Sequence, residues 1–319
     1  VIYQFHDTVT VLPAGTDGTA GTSATYVLFG DWPQTVKAEG VEVDDDDNAE
    51  TTITRGGFTY YLGSDDNYYV KCTVHSYGNN YSYSDGRTVN RGQQYFKVEP
   101  IKWRILTNNY DNGKKLILAE KILTSDIMFY LNSNNRTIGS NTVDPCDYKY
   151  STIRAYLNGS YETDDTQQKT YENVGFLQSA FSTSAQGSIV SANVDNTLAM
   201  AQPENCTDPG WGGIGYSSTY DKIFLLSENE VTKGSYGFDA YTVYIDHGTE
   251  RSSRVRKPTD YALANFAAIA TANSNYGGSW MTRSAASRIR YFSAYTDGRT
   301  STNDSYDNNV GIVPALCIN

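Results

Sequence analysis

The sequence predicts an α+β fold, mainly β, with short helices and an extended strand at its N-terminal end. Three observations predict it. In Tyr95–Leu106, YFKVEPIKWRIL, Phe96 and Val98 alternate with Lys97 and Glu99, and beyond Pro100 the residues Ile101, Trp103 and Ile105 alternate with Lys102 and Arg104. A period of two is the mark of a strand with one buried face, and a proline without an N–H to donate belongs at the corner between two of them. Composition is the second observation: charged residues are only 19% of the 319 and tyrosine occurs 27 times, a balance that favours strands with polar loops over helical bundles. Third, the stretches with helical spacing are short and lie between runs of strands.

Val1–Pro13, VIYQFHDTVTVLP, places Val1, Tyr3, Phe5, Val9 and Val11 on one face and reads as a strand. Residues 14–25, AGTDGTAGTSAT, hold nothing large to bury and read as a linker. A strand on such a tether either folds back on its own sheet or completes the sheet of a neighbouring copy. Residues 26–319 are then one large domain.

Within that domain Tyr26–Phe29 is a short strand ending in a turn at Gly30–Pro33. Phe58–Leu62 and Tyr68–Val74 flank Gly63–Asn67 as a hairpin, and a strand at Lys115–Ala119 follows the Asn112–Gly113 turn. Ser151 caps a short helix, STIRAYLN, that Gly159 stops. One or two helical turns fall within 175–190, Ile223–Leu226 is an apolar strand, and Thr259–Thr271 carries the longest helical pattern. Trp280–Ser284, Arg288–Tyr295, a turn at Asp297–Gly298, a polar loop and the run Val310–Ile318 close the chain.

The net charge is −11 with no basic block, which excludes nucleic-acid partners because phosphate neutralisation needs clustered cations. No apolar run approaches the roughly 20 residues that span a bilayer. With Val1 first, the chain reads as a mature exported protein. Its cysteines, Cys72, Cys146, Cys206 and Cys317, lie far apart. They are compatible with two disulfides in any of three connectivities or with buried thiols. The run Asp44–Asp47 lacks the glycine and spaced oxygens of a calcium loop. The sequence thus indicates no metal and no cofactor. His6, His75 and His247 are not paired with one another, and no nucleophile elbow, phosphate loop or zinc motif is present. The expectation is a non-enzyme. Asn80, Asn135, Asn158, Asn205 and Asn303 each begin an N-x-S/T triplet, which makes a glycoprotein an expectation of composition alone.

The motifs FGDWPQT (29–35), YFKVEPIKWRIL (95–106), STIRAYLNG (151–159), DKIFLLSENEV (221–231), TDYA (259–262), SWMTRSA (279–285) and GIVPAL (311–316) resemble an uncharacterised secreted domain of treponemes and clostridia. The ending, a tryptophan strand, a polar loop and a closing strand, is similar to C-type-lectin-like domains. That likeness implies a lectin-like body whose last loop displays ligand-binding residues, here Tyr291, Tyr295, Asp297, Arg299, Asp304, Tyr306, Asn308 and Asn309. Where that fold commonly carries two aromatics before the Arg-Ser step, this chain has Trp280 and Met281, and it has no calcium motif.

Two functions follow as expectations. The first is an extracellular structural protein that polymerises head to tail, with Val1–Leu12 pairing to the sheet edge of the next copy. The second is a monomeric surface adhesin that binds glycans or host proteins through the loop before the last strand.

Overall fold

The computed structural model describes residues 2–13, 26–46, 52–78, 80–161, 166–208, 210–241, 252–270 and 276–319. It is a mainly β, α+β molecule. The chain opens with β1 (Thr10–Val11), β2 (Tyr26–Val36), β3 (Thr52–Arg55), β4 (Phe58–Leu62), β5 (Tyr68–Val74), β6 (Gly92–Tyr110) and β7 (Lys114–Ala119). The hairpin β8 (Arg136–Ile138) and β9 (Asn141–Val143) precedes α1 (Thr152–Asn158), α2 (Phe176–Ala180) and α3 (Thr183–Gln186). Then come β10 (Ile189–Val190), β11 (Ala192–Val194), β12 (Thr219–Asp221), β13 (Ile223–Phe224), α4 (Glu228–Val231) and α5 (Asp260–Ala264). The last four strands are β14 (Trp280–Ala285), β15 (Arg290–Ala294), β16 (Thr300–Asp304) and β17 (Ala315–Ile318).

The spine is β6. It pairs antiparallel with β5 through residues 92–97, with β2 through 96–104 and with β7 through 103–110. The expected corner at Pro100 is absent, and the two predicted strands are one of 19 residues. The reason lies across the ladder, where β2 runs on through its predicted turn to Val36 and shifts register between Leu28 and Asp31, opposite Pro100. The irregularity absorbs the missing donor. Gln34 also donates its side-chain amide to the carbonyls of Glu99 and Pro100 at 3.2 and 2.9 Å. Gly30 makes the shift possible at φ +70°, and a Cβ there would lie 2.4 Å from the Phe181 ring.

The closing strand β17 is buried along its whole length and pairs with β7, β10 and β13, so the C-terminal run is a core strand as its pattern predicts. One core cluster draws on residues from Val27 to Ile318, with Trp32, Trp103, Phe176, Phe181 and Trp280 among its largest rings. The helix α1 follows its sequence signals: the Ser151 hydroxyl accepts from the Arg154 N–H, and Gly159 ends it at φ +61°. The helix expected over 259–271 is cut to Asp260–Ala264. Phe266 sits at φ +74° and the Ala268 N–H donates to the Asn309 carbonyl, so docking of that turn overrides its helical spacing. Thr271 lies outside the described residues. The polar loop after Gly298 is a strand, β16, in a separate three-stranded sheet β14-β15-β16. Arg283 and Glu230, both buried, meet at 2.5 Å and tie β14 to α4, while the same guanidinium donates to the carbonyls of Leu225 and Asp195. Such a pair holds geometry more than it adds stability.

Gly30→Ala combines a left-handed backbone with a clash against an aromatic ring, and it is expected to cost about 1–3 kcal/mol in urea unfolding.

Candidate functional site

The N-terminal segment lies on its own chain. Of the expected strand over Val1–Pro13, only Thr10 and Val11 form a regular ladder, on β2 opposite Leu28 and Val27. On either side of it the Leu12 N–H donates to the Tyr26 carbonyl and the Gly30 N–H to the His6 carbonyl, while the Tyr3 N–H donates to Asp66. Because Val27 and Leu28 already pair with Trp103 and Lys102 of β6, this segment covers the other, otherwise open edge of β2. We call it the ribbon.

Its side chains follow the predicted alternation only in part. Tyr3 and Phe5 pack on a small second core of Tyr60, Tyr68, Val70 and Val98, and Val9 packs against the main core. Val11 departs from the expectation: the chain bends at Thr8 and leaves its side chain 60% exposed. Val1 and the linker 14–25 lie outside the described residues. The Phe5 ring stacks on Tyr68 at 5.5 Å, meets Tyr60 edge-on at 5.7 Å, and carries the Arg55 guanidinium 4.1 Å from its centre. Aromatic and cation–π contacts of this kind contribute roughly 0.5–2 kcal/mol each.

The centre of the groove is Asp31, whose side chain is fully buried. Tyr3 donates its hydroxyl to one carboxylate oxygen at 2.6 Å and the His6 N–H donates to the other at 2.9 Å. The His6 ring Nδ1 stands 3.0 Å from the first oxygen, and the Arg55 guanidinium is 3.7 Å from the second. A buried carboxylate needs partners to stay buried, and most of those Asp31 has come from the ribbon. Burial, and then the Asp31 charge, push the Tyr3 hydroxyl well above its usual range. Desolvation likewise raises Tyr60 beneath it. The sequence showed the ribbon's apolar face; it carried no signal for Asp31, which sits in a FGDW stretch that reads as a turn.

The residues expected to display a ligand do not form one surface. Tyr291 is a core residue, its ring stacked 5.0 Å from Phe129, so its assignment to a display loop is corrected: on the five-residue strand β15 it falls on the inward side. Asp297 is buried and pairs with Arg299 at 2.7 Å. Asn308 donates to Asp126 at 2.5 Å, and the Asn309 carbonyl accepts from Ala268, so both tie the segment to the body. Asp304 pairs with Arg290 at 2.8 Å and accepts from the Tyr306 hydroxyl at 3.1 Å. Tyr295 and Arg299 do line a cleft of about 870 Å³, which is completed by Asp208, Gly210, Trp211, Gly212 and Tyr241, none of which the sequence singles out.

The four cysteines are free thiols. Burial raises the thiol of Cys72 to about 11 and that of Cys317 to about 12, away from nucleophilic reactivity. His6 pairs with Asp31 and His75 with Asp126 at 2.7 Å, while His247 lies outside the described residues. The Asn158 side chain bonds Arg154 and Ile223, which removes it from the candidate glycan acceptors. Among the described residues no group of three metal-ligating side chains comes together, and no helix is long and apolar enough to cross a membrane.

The profile of a family described as Domain of unknown function (DUF6273) matches residues 112–319. That span begins in the turn between β6 and β7 and takes in the cleft. The ribbon and its groove precede it. No curated protein and no solved structure matches the chain.

Asp31→Asn keeps the shape of the groove and removes its charge. Loss of charge-assisted bonds worth about 1.5–3 kcal/mol each is expected to speed amide exchange over residues 2–12 by about 10- to 100-fold, leaving β6 and β7 unchanged in hydrogen-exchange mass spectrometry. Tyr3 and Tyr60 keep their protons in the folded chain beyond the pH, about 10, at which an unfolded tyrosine ionises. Their contribution is therefore complete below that pH and lost as pH rises above it. The urea midpoint is expected to fall steadily above pH about 10, and less steeply in Tyr3→Phe.

Proposed function

The chain belongs to the DUF6273 family, to which no activity is attached, and we propose that it is a non-enzymatic, extracellular structural protein that assembles head to tail by exchanging its N-terminal ribbon between copies. One observation carries this reading: the length of chain joining ribbon to groove. The register sets Leu12 beside Tyr26, a gap that a hairpin turn of two to five residues closes. The sequence instead supplies residues 13–25 there, with no side chain larger than proline, threonine or aspartate. Thirteen residues reach up to about 40 Å, enough for a ribbon to enter the groove of an adjacent copy.

Exchange conserves every ribbon contact, the Asp31 lock included, and adds the contact between the two bodies. That added contact is what favours a polymer over the closed monomer. Each copy gives its ribbon to one neighbour and receives one from another, and such a heterologous interface propagates where a reciprocal swap between two copies would close as a dimer. The composition, rich in Tyr, Asn, Ser and Thr, and the resemblance to secreted domains support a place outside the cell. The finer reading of the body as C-type-lectin-like is supported by the separate sheet β14-β15-β16 and by the closing strand that returns to the main sheet.

Deleting residues 1–25 is expected to leave a folded monomer that binds a synthetic peptide of residues 1–13 one to one. The full chain should form filaments in electron micrographs that an excess of the same peptide shortens. Filaments from the deleted chain, or a full chain that light scattering finds monomeric at every concentration, would refute the proposal.

A further inference from the structure

We infer that the cleft between Asp208 and Gly210–Gly212 on one side and the outer face of β15 and β16 on the other binds a neutral saccharide. It is built from different elements than the ribbon groove and does not depend on assembly. Its volume of about 870 Å³ lies within the range of small-ligand sites, roughly 300–1,000 Å³, and it suits two or three sugar rings.

The alternation of the strands sets its floor. Arg290 and Phe292 of β15 face the same side as their partners on β16, and Thr302 is the register partner of Phe292. Trp211 stacks on Phe292 at 5.2 Å with an interplanar angle of 14°, and Tyr241 meets the indole edge-on at 4.7 Å. The indole N–H donates to the Ala201 carbonyl at 3.2 Å, which fixes the ring in place. Tyr295 also lines the cleft and is 44% exposed, with the Arg299 guanidinium 5.7 Å from its ring centre. Such rings stack on the C–H faces of sugars at low entropic cost, since each has only two side-chain torsions.

The polar groups select for neutrality. Arg290 and Arg299 are each held by a carboxylate, Asp304 at 2.8 Å and Asp297 at 2.7 Å, and Asp208 adds a third acid at the rim. Asp208 is the one acid among the lining residues, and each lining guanidinium is already paired with a carboxylate that does not itself line the cleft, which leaves no unpaired cation there for a phosphate or sulfate. Each ion pair instead places donors beside acceptors, the arrangement that matches vicinal hydroxyls. A hydrocarbon ligand is disfavoured because the walls carry these charges and the hydroxyl of Thr302.

The protein contains its own reporter. Of the four tryptophans, Trp32, Trp103 and Trp280 are at most 1% exposed, so a ligand-induced change in emission reports Trp211. Maltose, cellobiose, lactose and diacetylchitobiose, titrated into the full chain to tens of millimolar with inorganic phosphate as a parallel probe, test the site. At least one disaccharide is expected to shift the emission saturably and phosphate to leave it unchanged. Tyr295→Ala should weaken that disaccharide about five- to tenfold, the size of one lost aromatic contact, while the chain stays folded, with a cooperative thermal transition, because the ring lies at the surface and is 44% exposed. Failure of all four disaccharides to shift the emission overturns the inference. So does a shift by phosphate alone, or equal binding by Tyr295→Ala.

Discussion

An open strand edge and a buried charge create the same need on β2. Among the described residues its outer N–H and C=O groups face no other strand of the body, and a carboxylate with no solvent exposure stands among aromatic rings at its bulge. Left bare, the edge would invite unselective pairing, and among the described residues Asp31 would keep only a distant guanidinium, that of Arg55 at 3.7 Å. The ribbon answers both needs. Its backbone completes the ladder, while Tyr3 and His6 satisfy the acid. Backbone bonds alone would accept many strands, whereas the Asp31 contacts discriminate, because a segment without a donor at the positions of Tyr3 and His6 would leave a buried charge unpaired.

That division of labour explains why a polymer built this way would consist of one kind of subunit. Main-chain addition supplies attraction without choice, and the acid supplies the choice. The Arg55 guanidinium serves both layers, since it lies over the Phe5 ring and approaches the carboxylate. The second feature of the surface, the cleft on β15 and β16, belongs to another sheet and shares no lining residue with the groove. Ribbon exchange therefore uses none of the residues that line the cleft.

What could be read from the sequence was whatever is decided within a few neighbouring residues. The period of two along Tyr95–Trp103, the Ser151 and Gly159 caps of α1, the hairpin turn at Gly63–Asn67 and the buried closing strand all appear in the structure as their patterns require, whereas Ile105 is only half-buried and Leu106 takes the inward place at a register shift against β7. Each depends on side-chain direction, a cap bond or a local torsion, and these are set by sequence spacing. The greasy face of the ribbon was legible for the same reason.

The tertiary structure decided what depends on a partner distant in the chain. Whether Pro100 breaks a strand rests on Gly30 and Asp31 across the ladder, some seventy positions away. Whether Tyr291 faces inward or outward rests on Phe129, which waits on the other side of its strand. The cleft required Trp211 and Tyr241 to be brought against Phe292 and Tyr295, and no local pattern links those positions. Asp31 shows the limit most plainly: the letters FGDW describe a turn, and only folding, by removing water from that carboxylate and bringing Tyr3 and His6 to it, makes it the residue that holds the ribbon.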